Sequence, residues 1–227
     1  YDCQLQLLEA CASICGGFDV EEYWKEFGIA ADKSSNYLKS AYRLVAEIQN
    51  TGIPISLAIS ALSREPIPIS EQKKHGAFYT DFRLAQFVAD NCTPHLRIDS
   101  KVADLAAGSG ILLAAVAEEY YRLFPNSFDN WLSKCVFAFD LSENALRGAR
   151  AALSVHANAV TSIKQMCANW FIGDSLDSTI VDKHLFDIVV GNPPWGKVKL
   201  SLHNFLTGAG LSHLYGSSYS DYDKERF

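Results

Sequence analysis

An α/β fold built on a parallel sheet, preceded by a helical region, is what this sequence predicts, and three observations predict it. From about residue 82 onward, short apolar runs of strand length alternate with segments of helical periodicity. The runs are apolar throughout, as strands buried on both faces require, and such strands belong to parallel sheets covered by helices. The runs at 101–105, 135–140 and 186–190 end respectively in a glycine turn, an acid, and Gly191-Asn192-Pro193-Pro194, where the chain must turn.

The elements follow in order. The first 65 or so residues read as helices. Leu5, Leu8 and Ala12 recur at the spacing of one helix face, as do Leu38, Ala41, Val45 and Ile48. Gly16-Gly17 and Thr51-Gly52-Ile53-Pro54 mark the breaks between helices. Taken alone, this region is a packing bundle without chemistry. Residues 64–70 carry two prolines and no helical pattern, so they read as a linker. The expected division is therefore a helical domain over 1–70 and an α/β domain over 71–227. In the second, Leu84, Phe87 and Val88 suit a helix face. Residues 101–105 form a short strand and 111–123 an Ala- and Leu-rich helix. Residues 135–140 form the next strand, and Ser142 is placed to cap a helix running to Val155. Residues 170–172 and 186–190 supply the third and fourth strands. Residues 207–223, rich in Gly, Ser and Tyr, read as a mobile loop.

Bulk properties bound the function. Of the 227 residues, 48% are hydrophobic and 20% charged, the balance of an ordinary globular protein. No apolar run approaches the roughly 18–20 residues that span a bilayer. The six cysteines include no C-x-x-C pair, which argues against zinc and for thiols in a reducing, cytoplasmic setting. The net charge is −6; residues 1–70 hold 5 Lys+Arg against 9 Asp+Glu, and residues 71–227 hold 15 against 17. A protein that grips DNA unaided shows a basic face, so charge gives that activity no support.

Two motifs carry chemistry. Asp104-Leu105-Ala106-Ala107-Gly108-Ser109-Gly110 sits where a strand ends and a helix begins. Glycines there permit a tight turn and let a ligand approach the backbone. Asp140 ends the next strand, where a carboxylate can accept hydrogen bonds from both hydroxyls of a ribose. The spacing from Asp104 exceeds the roughly 20 residues of nicotinamide proteins, and Leu113 stands where their third glycine would be. Asn192-Pro193-Pro194-Trp195 follows the last strand. Proline carbonyls and the Asn192 amide oxygen are fixed acceptors, and Trp195 offers a flat face, a combination that suits a planar base bearing an NH2 group.

With these residues in place, the chain resembles the N6-adenine DNA methyltransferases of restriction–modification and phage-defence systems, in the arrangement where the cofactor motifs precede the catalytic one. The resemblance covers about residues 74–200. His75-Gly76-Ala77-Phe78-Tyr79-Thr80 is similar to the family's G-x-[FY]-Y-T-P element, with Asp81 in place of its Pro. Asp104 to Gly110 is similar to D-P-A-C-G-S-G, with Leu105 and Ala107 in place of Pro and Cys. Gly173-Asp174-Ser175-Leu176 resembles the third cofactor element, and Asn192 to Trp195 matches [DNS]-P-P-[FYW]. The resemblance implies a Rossmann-like methyltransferase sheet, incomplete at its C-terminal end, that binds S-adenosyl-L-methionine. It assigns Tyr79 and Thr80 to the methionine end, Asp104, Ala106, Gly108 and Gly110 to the glycine turn, Asp140 to the ribose, and Leu141 to the cofactor site beside it. Asp174 is assigned to the adenine amine of the cofactor, with Ser175 beside it in the same cofactor element. Asn192, Pro193, Pro194 and Trp195 are the implied catalytic residues, acting without a metal on adenine N6 in DNA. Methyl transfer to protein glutamine, cytosine N4 or an RNA base uses the same four residues, and a non-catalytic cofactor-binding subunit of a defence complex is the alternative of another class. The chain stops 32 residues after Trp195, so it reads as part of a longer polypeptide whose DNA-recognition region, and any nuclease or specificity subunit, lies elsewhere.

Overall fold

Residues 1–30, 37–66, 79–175 and 185–193 are described by the structure, a computed structural model. The expected domain boundary at residues 70–71, Leu176, Pro194, Trp195 and the loop at 207–223 lie outside the described residues.

The N-terminal region is helical, as its periodicity predicts: α1 (Asp2–Gly16), α2 (Val20–Glu26), α3 (Tyr37–Gln49) and α4 (Ile55–Leu62). Asp19 caps α2, its side chain accepting from the N–H groups of Glu21 and Glu22, which the start of a helix leaves without partners. Leu5, Leu8 and Ala12 of α1 and Ala41, Val45 and Ile48 of α3 are buried. Leu38 is 49% exposed, so the buried stripe of α3 begins one turn later than expected.

α5 (Phe82–Cys92) is present, but its face differs from the expected one. Ala85 and Ala89 are its buried residues, whereas Leu84 and Phe87 are 51% and 64% exposed. The helix lies along α6 (Ile111–Leu123), and small alanines on that side let two backbones approach closely. The remaining described helices are α7 (Phe128–Cys135), α8 (Glu143–Leu153) and α9 (Val160–Cys167). Ser142 caps α8 by accepting from the Ala145 N–H, as predicted, and a 3-10 turn over Ser154–His156 completes the expected span.

Four strands, β1 (Val102–Asp104), β2 (Val136–Asp140), β3 (Trp170–Ile172) and β4 (Ile188–Val190), form one parallel sheet in the order β3-β2-β1-β4. Asp104 lies opposite Ala138 and Val190, and Asp140 opposite Ile172. β1 and β4 are shorter than predicted. Before β1, the Lys101 N–H bonds the Asp187 carboxylate at 2.7 Å, while the Lys101 carbonyl accepts from the Asp187 and Ile188 N–H groups at 2.9 and 3.1 Å. The chain steps from β1 outward to β3, then returns past β1 to place β4. In open parallel sheets, such a reversal leaves a crevice at the carboxyl ends of the strands, and ligands bind there.

One face of the sheet, with Val102, Val136, Ala138, Ile188 and Val190, joins a core shared with every helix named above, the N-terminal ones included. Ala103, Phe137 and Phe139 occupy the other face, with Phe171 and Phe186 against them. Trp131 stacks on Tyr120 with ring centroids 4.0 Å apart; the indole N–H bonds the Ser100 carbonyl and the Tyr120 hydroxyl the Ile98 carbonyl. These two anchors fix the approach to β1. A buried ion network ties α1 to α8. The Glu9 carboxylate accepts from Arg147 Nε at 2.8 Å, Arg147 Nη2 at 3.0 Å and the Trp24 indole at 2.9 Å, while Arg147 also pairs with Asp2. Among the described residues, no helix is long and apolar enough to cross a membrane, and no group of three His, Cys, Asp or Glu is placed to hold a metal ion. All six cysteines are free thiols.

Candidate functional site

The predicted site residues that are described converge on the carboxyl edge of the sheet. β1 ends in Asp104, whose side chain is almost wholly buried, at 1% exposure. Its Oδ1 accepts from the Ala106 N–H at 3.0 Å, closing the first step of the turn. Burial raises its carboxyl from the usual 3.8 to about 7; the nearby Asp140 charge adds to this, and the Ala106 hydrogen bond opposes it. Gly191, just after β4, passes close to Asp104: a side chain there would lie 3.6 Å from Oδ1.

The glycine turn is locked by backbone and side-chain bonds. The Ala107 N–H donates to the Phe139 carbonyl at 2.9 Å, and the Gly108 N–H to Asp140 Oδ2 at 2.7 Å. Gly108 adopts φ +53° with open space where a side chain would stand, so the backbone itself faces the crevice. Gly110 has φ +78°, and a side chain there would collide with Ala149 of α8 at 2.6 Å. Its glycine is therefore required by the packing of α8 on the turn as well as by the backbone angle. Asp140 Oδ1 accepts from the Ser142 N–H at 2.8 Å, so one carboxylate holds both the glycine turn and the loop into α8. The Gly173 N–H bonds the Asp140 carbonyl at 2.9 Å, which sets Asp174 and Ser175 at the same edge, after β3. Leu141, beside Asp140, is 76% exposed.

Asn192 follows β4 and donates from Nδ2 to Thr80 Oγ1 at 3.0 Å. The structure thus joins two motifs 112 residues apart. Pro193 is exposed at the end of the described segment, and Pro194 and Trp195 lie beyond it. Tyr79 donates its hydroxyl to the Glu65 carbonyl at 2.6 Å and lies under the Arg64 guanidinium, 4.9 Å from the ring centroid. Burial, with Glu65 adding to it, holds the Tyr79 phenol above its ordinary value.

Sequence reasoning missed the groups that brace this edge. Arg64 Nη2 donates to the Thr80 carbonyl at 2.5 Å. The Glu65 carboxylate accepts from Ser142 Oγ and Asn144 Nδ2, both at 3.0 Å. Ser60 of α4 donates to the Ser109 carbonyl at 2.8 Å, inside the glycine turn. Periodicity carried no signal for these three residues; a charged pair and a serine at the end of a helical region look like solvated surface until the edge is assembled.

A nucleotide-like cofactor with a cationic amino-acid end fits these residues. Gly108 leaves open backbone, and Asp140 uses two of the roughly four acceptor positions of a carboxylate, so it can still receive ribose hydroxyls. Asp104 is a buried acid suited to a cationic neighbour, and Leu141 offers an exposed apolar side chain for a flat ring. A separate cleft of about 500 Å³ lies between residues 27–30 and α8, lined also by Trp170 and Ile172, and contains none of the predicted site residues. Residues 68–204, more than half of the chain, match the family model described as N-6 DNA methylase. No curated protein matches the chain.

Proposed function

The chain belongs to the N-6 DNA methylase family, and from that membership and the geometry of the sheet edge we propose that it methylates the N6 amine of adenine in DNA. The observation that carries the proposal is the seat of Asn192 at the end of β4, hydrogen-bonded to Thr80, on the same edge as Asp104, Gly108 and Asp140. S-adenosyl-L-methionine, when bound, supplies an electrophilic methyl group on a sulfonium sulfur. In this reading the sheet is Rossmann-like, Gly108 and Asp140 hold the ribose, Leu141, Asp174 and Ser175 the adenine, and Tyr79, Thr80, Asp104, Ala106 and Gly110 frame the methionine end.

The target base leaves the helix stack at a cost of a few kcal/mol. Stacking on Trp195 returns roughly 1–3 kcal/mol. The exocyclic amine is a poor nucleophile because its lone pair is delocalised into the ring. The Asn192 Oδ1 and the Pro193 carbonyl accept its two N–H bonds, draw the nitrogen towards a tetrahedral shape and stabilise the positive charge that develops on it. Pro194 fixes the direction of the preceding carbonyl. The proton of the methylated amine passes to solvent. Alignment of the amine supplies much of the remaining acceleration. With a net charge of −6, the chain lacks the basic surplus that grips phosphates, so we assign DNA-sequence recognition, in a restriction–modification or related defence setting, to another region or subunit.

The test is transfer of a radiolabelled methyl group to DNA, RNA and protein acceptors offered side by side. DNA alone should be labelled, on adenine. Label on glutamine, cytosine or RNA would replace the substrate, and no label on any acceptor would make the chain a binding subunit. Asn192→Ala should lower the transfer rate at least about 100-fold while the cofactor Kd stays within about threefold; a variant with near-normal turnover removes the role given to Asn192.

A further inference from the structure

Arg64 and Glu65 stand just past the end of α4, where the chain leaves the helical region. Each of their hydrogen bonds has one possible polarity. The Glu65 carbonyl can only accept from the Tyr79 hydroxyl, at 2.6 Å, and the Thr80 carbonyl can only accept from Arg64 Nη2, at 2.5 Å. The Arg64 guanidinium also lies over the Tyr79 ring, 4.9 Å from its centroid. The Glu65 carboxylate accepts from Ser142 Oγ and Asn144 Nδ2, both at 3.0 Å. The Ser142 hydroxyl proton is free for this bond, because its oxygen takes the Ala145 N–H on a lone pair.

Two adjacent residues thus grip two separate strips of the sheet edge. One strip is Tyr79-Thr80. The other is the entry to α8, where the Ser142 N–H bonds Asp140 Oδ1 at 2.8 Å while Asp140 Oδ2 holds the Gly108 N–H at 2.7 Å. Glu65 therefore reaches Asp140 through Ser142, and Arg64 reaches Thr80 directly. A site whose walls are left loose must be ordered by its ligand at a cost in affinity, and a clasp made within the protein removes that cost.

We propose that Arg64 and Glu65 form a two-ended clasp and act as positioning residues for the cofactor. The Glu65 side chain sets the ribose half of the site through Ser142 and Asp140. Arg64 sets the amino-acid half through Thr80 and Tyr79. The inference rests on the reading of this edge as a site for S-adenosyl-L-methionine, and it makes the end of the helical region part of the binding machinery rather than a linker.

The experiment uses the full chain and two nucleoside thioethers, S-adenosyl-L-homocysteine and methylthioadenosine. Both carry the ribose, and only the first carries the amino-acid end. Their Kd values are read by calorimetry. Glu65→Ala should weaken both ligands by the same factor, roughly three- to tenfold. Glu65→Gln can accept from Asn144 and donate to Ser142, so it should recover most of that affinity, which a carboxylate acting by its charge would not allow. Arg64→Met keeps an apolar stem on the Tyr79 ring and loses the donor. It should weaken S-adenosyl-L-homocysteine roughly three- to tenfold and leave methylthioadenosine within about twofold. Unchanged affinity in the alanine or the methionine variant overturns the inference. So does a Glu65→Ala loss confined to S-adenosyl-L-homocysteine, an Arg64→Met loss shared equally by both ligands, or a glutamine variant as weak as alanine. If the unmodified protein binds neither thioether, the cofactor reading fails instead, and amide hydrogen exchange decides the clasp alone. Exchange of the Ser142 and Gly108 N–H groups about tenfold faster in Glu65→Ala, and restored in Glu65→Gln, sustains the positioning of Asp140; exchange at the wild-type rate in Glu65→Ala sinks it.

Discussion

A carboxyl group that folding leaves 1% exposed, as it does Asp104, must give up water for whatever the fold provides, and here that is one N–H at 3.0 Å. The consequence is linked to pH. Because the carboxyl is raised from 3.8 to about 7, chiefly by burial, the folded protein keeps this proton over a range in which the unfolded chain has released it. The stability tied to the proton is fully present below about pH 4 and is lost as pH rises through about 7. Asp104→Asn, neutral at every pH, should remove this dependence. Its Tm without ligand should exceed that of the unmodified protein by roughly 3–8 °C at pH 8, and by less at pH 5.5. Thermal melts at both pH values check this, and two curves that run parallel would count against the burial argument. At this scale the sequence was informative about Asp104 and Asp140, because a strand that ends in an acid places that acid at the sheet edge. It was informative about Gly110 for only part of the reason: the left-handed angle belongs to the turn, but the 2.6 Å clash with Ala149 comes from a helix that begins 33 residues later.

Helix α4 (Ile55–Leu62) shows how an element read as inert packing reaches the site. Its sequence is almost wholly apolar, yet Ser60 is buried and bonds the Ser109 carbonyl at 2.8 Å and meets Ser109 Oγ at 3.2 Å. Ser56, one turn earlier, bonds Glu118 of α6. Removing a buried hydrogen bond to one carbonyl of the glycine turn costs about 1 kcal/mol, and loosens the turn to which the proposed function assigns the cofactor. Ser60→Ala should therefore weaken cofactor binding roughly three- to tenfold, as read by calorimetric titration; unchanged affinity would make α4 a packing element alone. The elements themselves were largely legible. The helix at 111–123 and the strand at 170–172 follow from periodicity and run length. The face of α5 was not, because Ala85 and Ala89 define one stripe and Leu84 and Phe87 another, and periodicity does not say which stripe a neighbour will cover. The bond between Thr80 and Asn192, across 112 residues, is a product of strand order and has no local signature.

For the molecule as a whole, the Glu9 network decides how the N-terminal helices relate to the sheet. Its carboxylate is fully buried and receives two arginines of α8, Arg147 and, at 3.5 Å, Arg150. Glu9→Ala would leave both guanidinium groups partly buried without that partner, at a cost of about 3–5 kcal/mol. The expected result is a Tm lower by roughly 10 °C, with helix and aromatic signals lost in one shared transition. Two separated transitions, with only the first displaced, would mean that the helices fold apart from the sheet. The shared core gives the physical reason to expect one transition, and nothing in the linker-like composition of residues 64–66 disclosed it. The same logic applies to Asp140, which grips the Gly108 N–H with one oxygen and the Ser142 N–H with the other, through bonds made wholly within the protein. A cradle of that kind has surrendered its conformational freedom during folding. If the proposed function holds, the nucleoside of the cofactor need not pay for that ordering a second time, and recognition there is closer to a key meeting a finished lock than to a hand closing on its object.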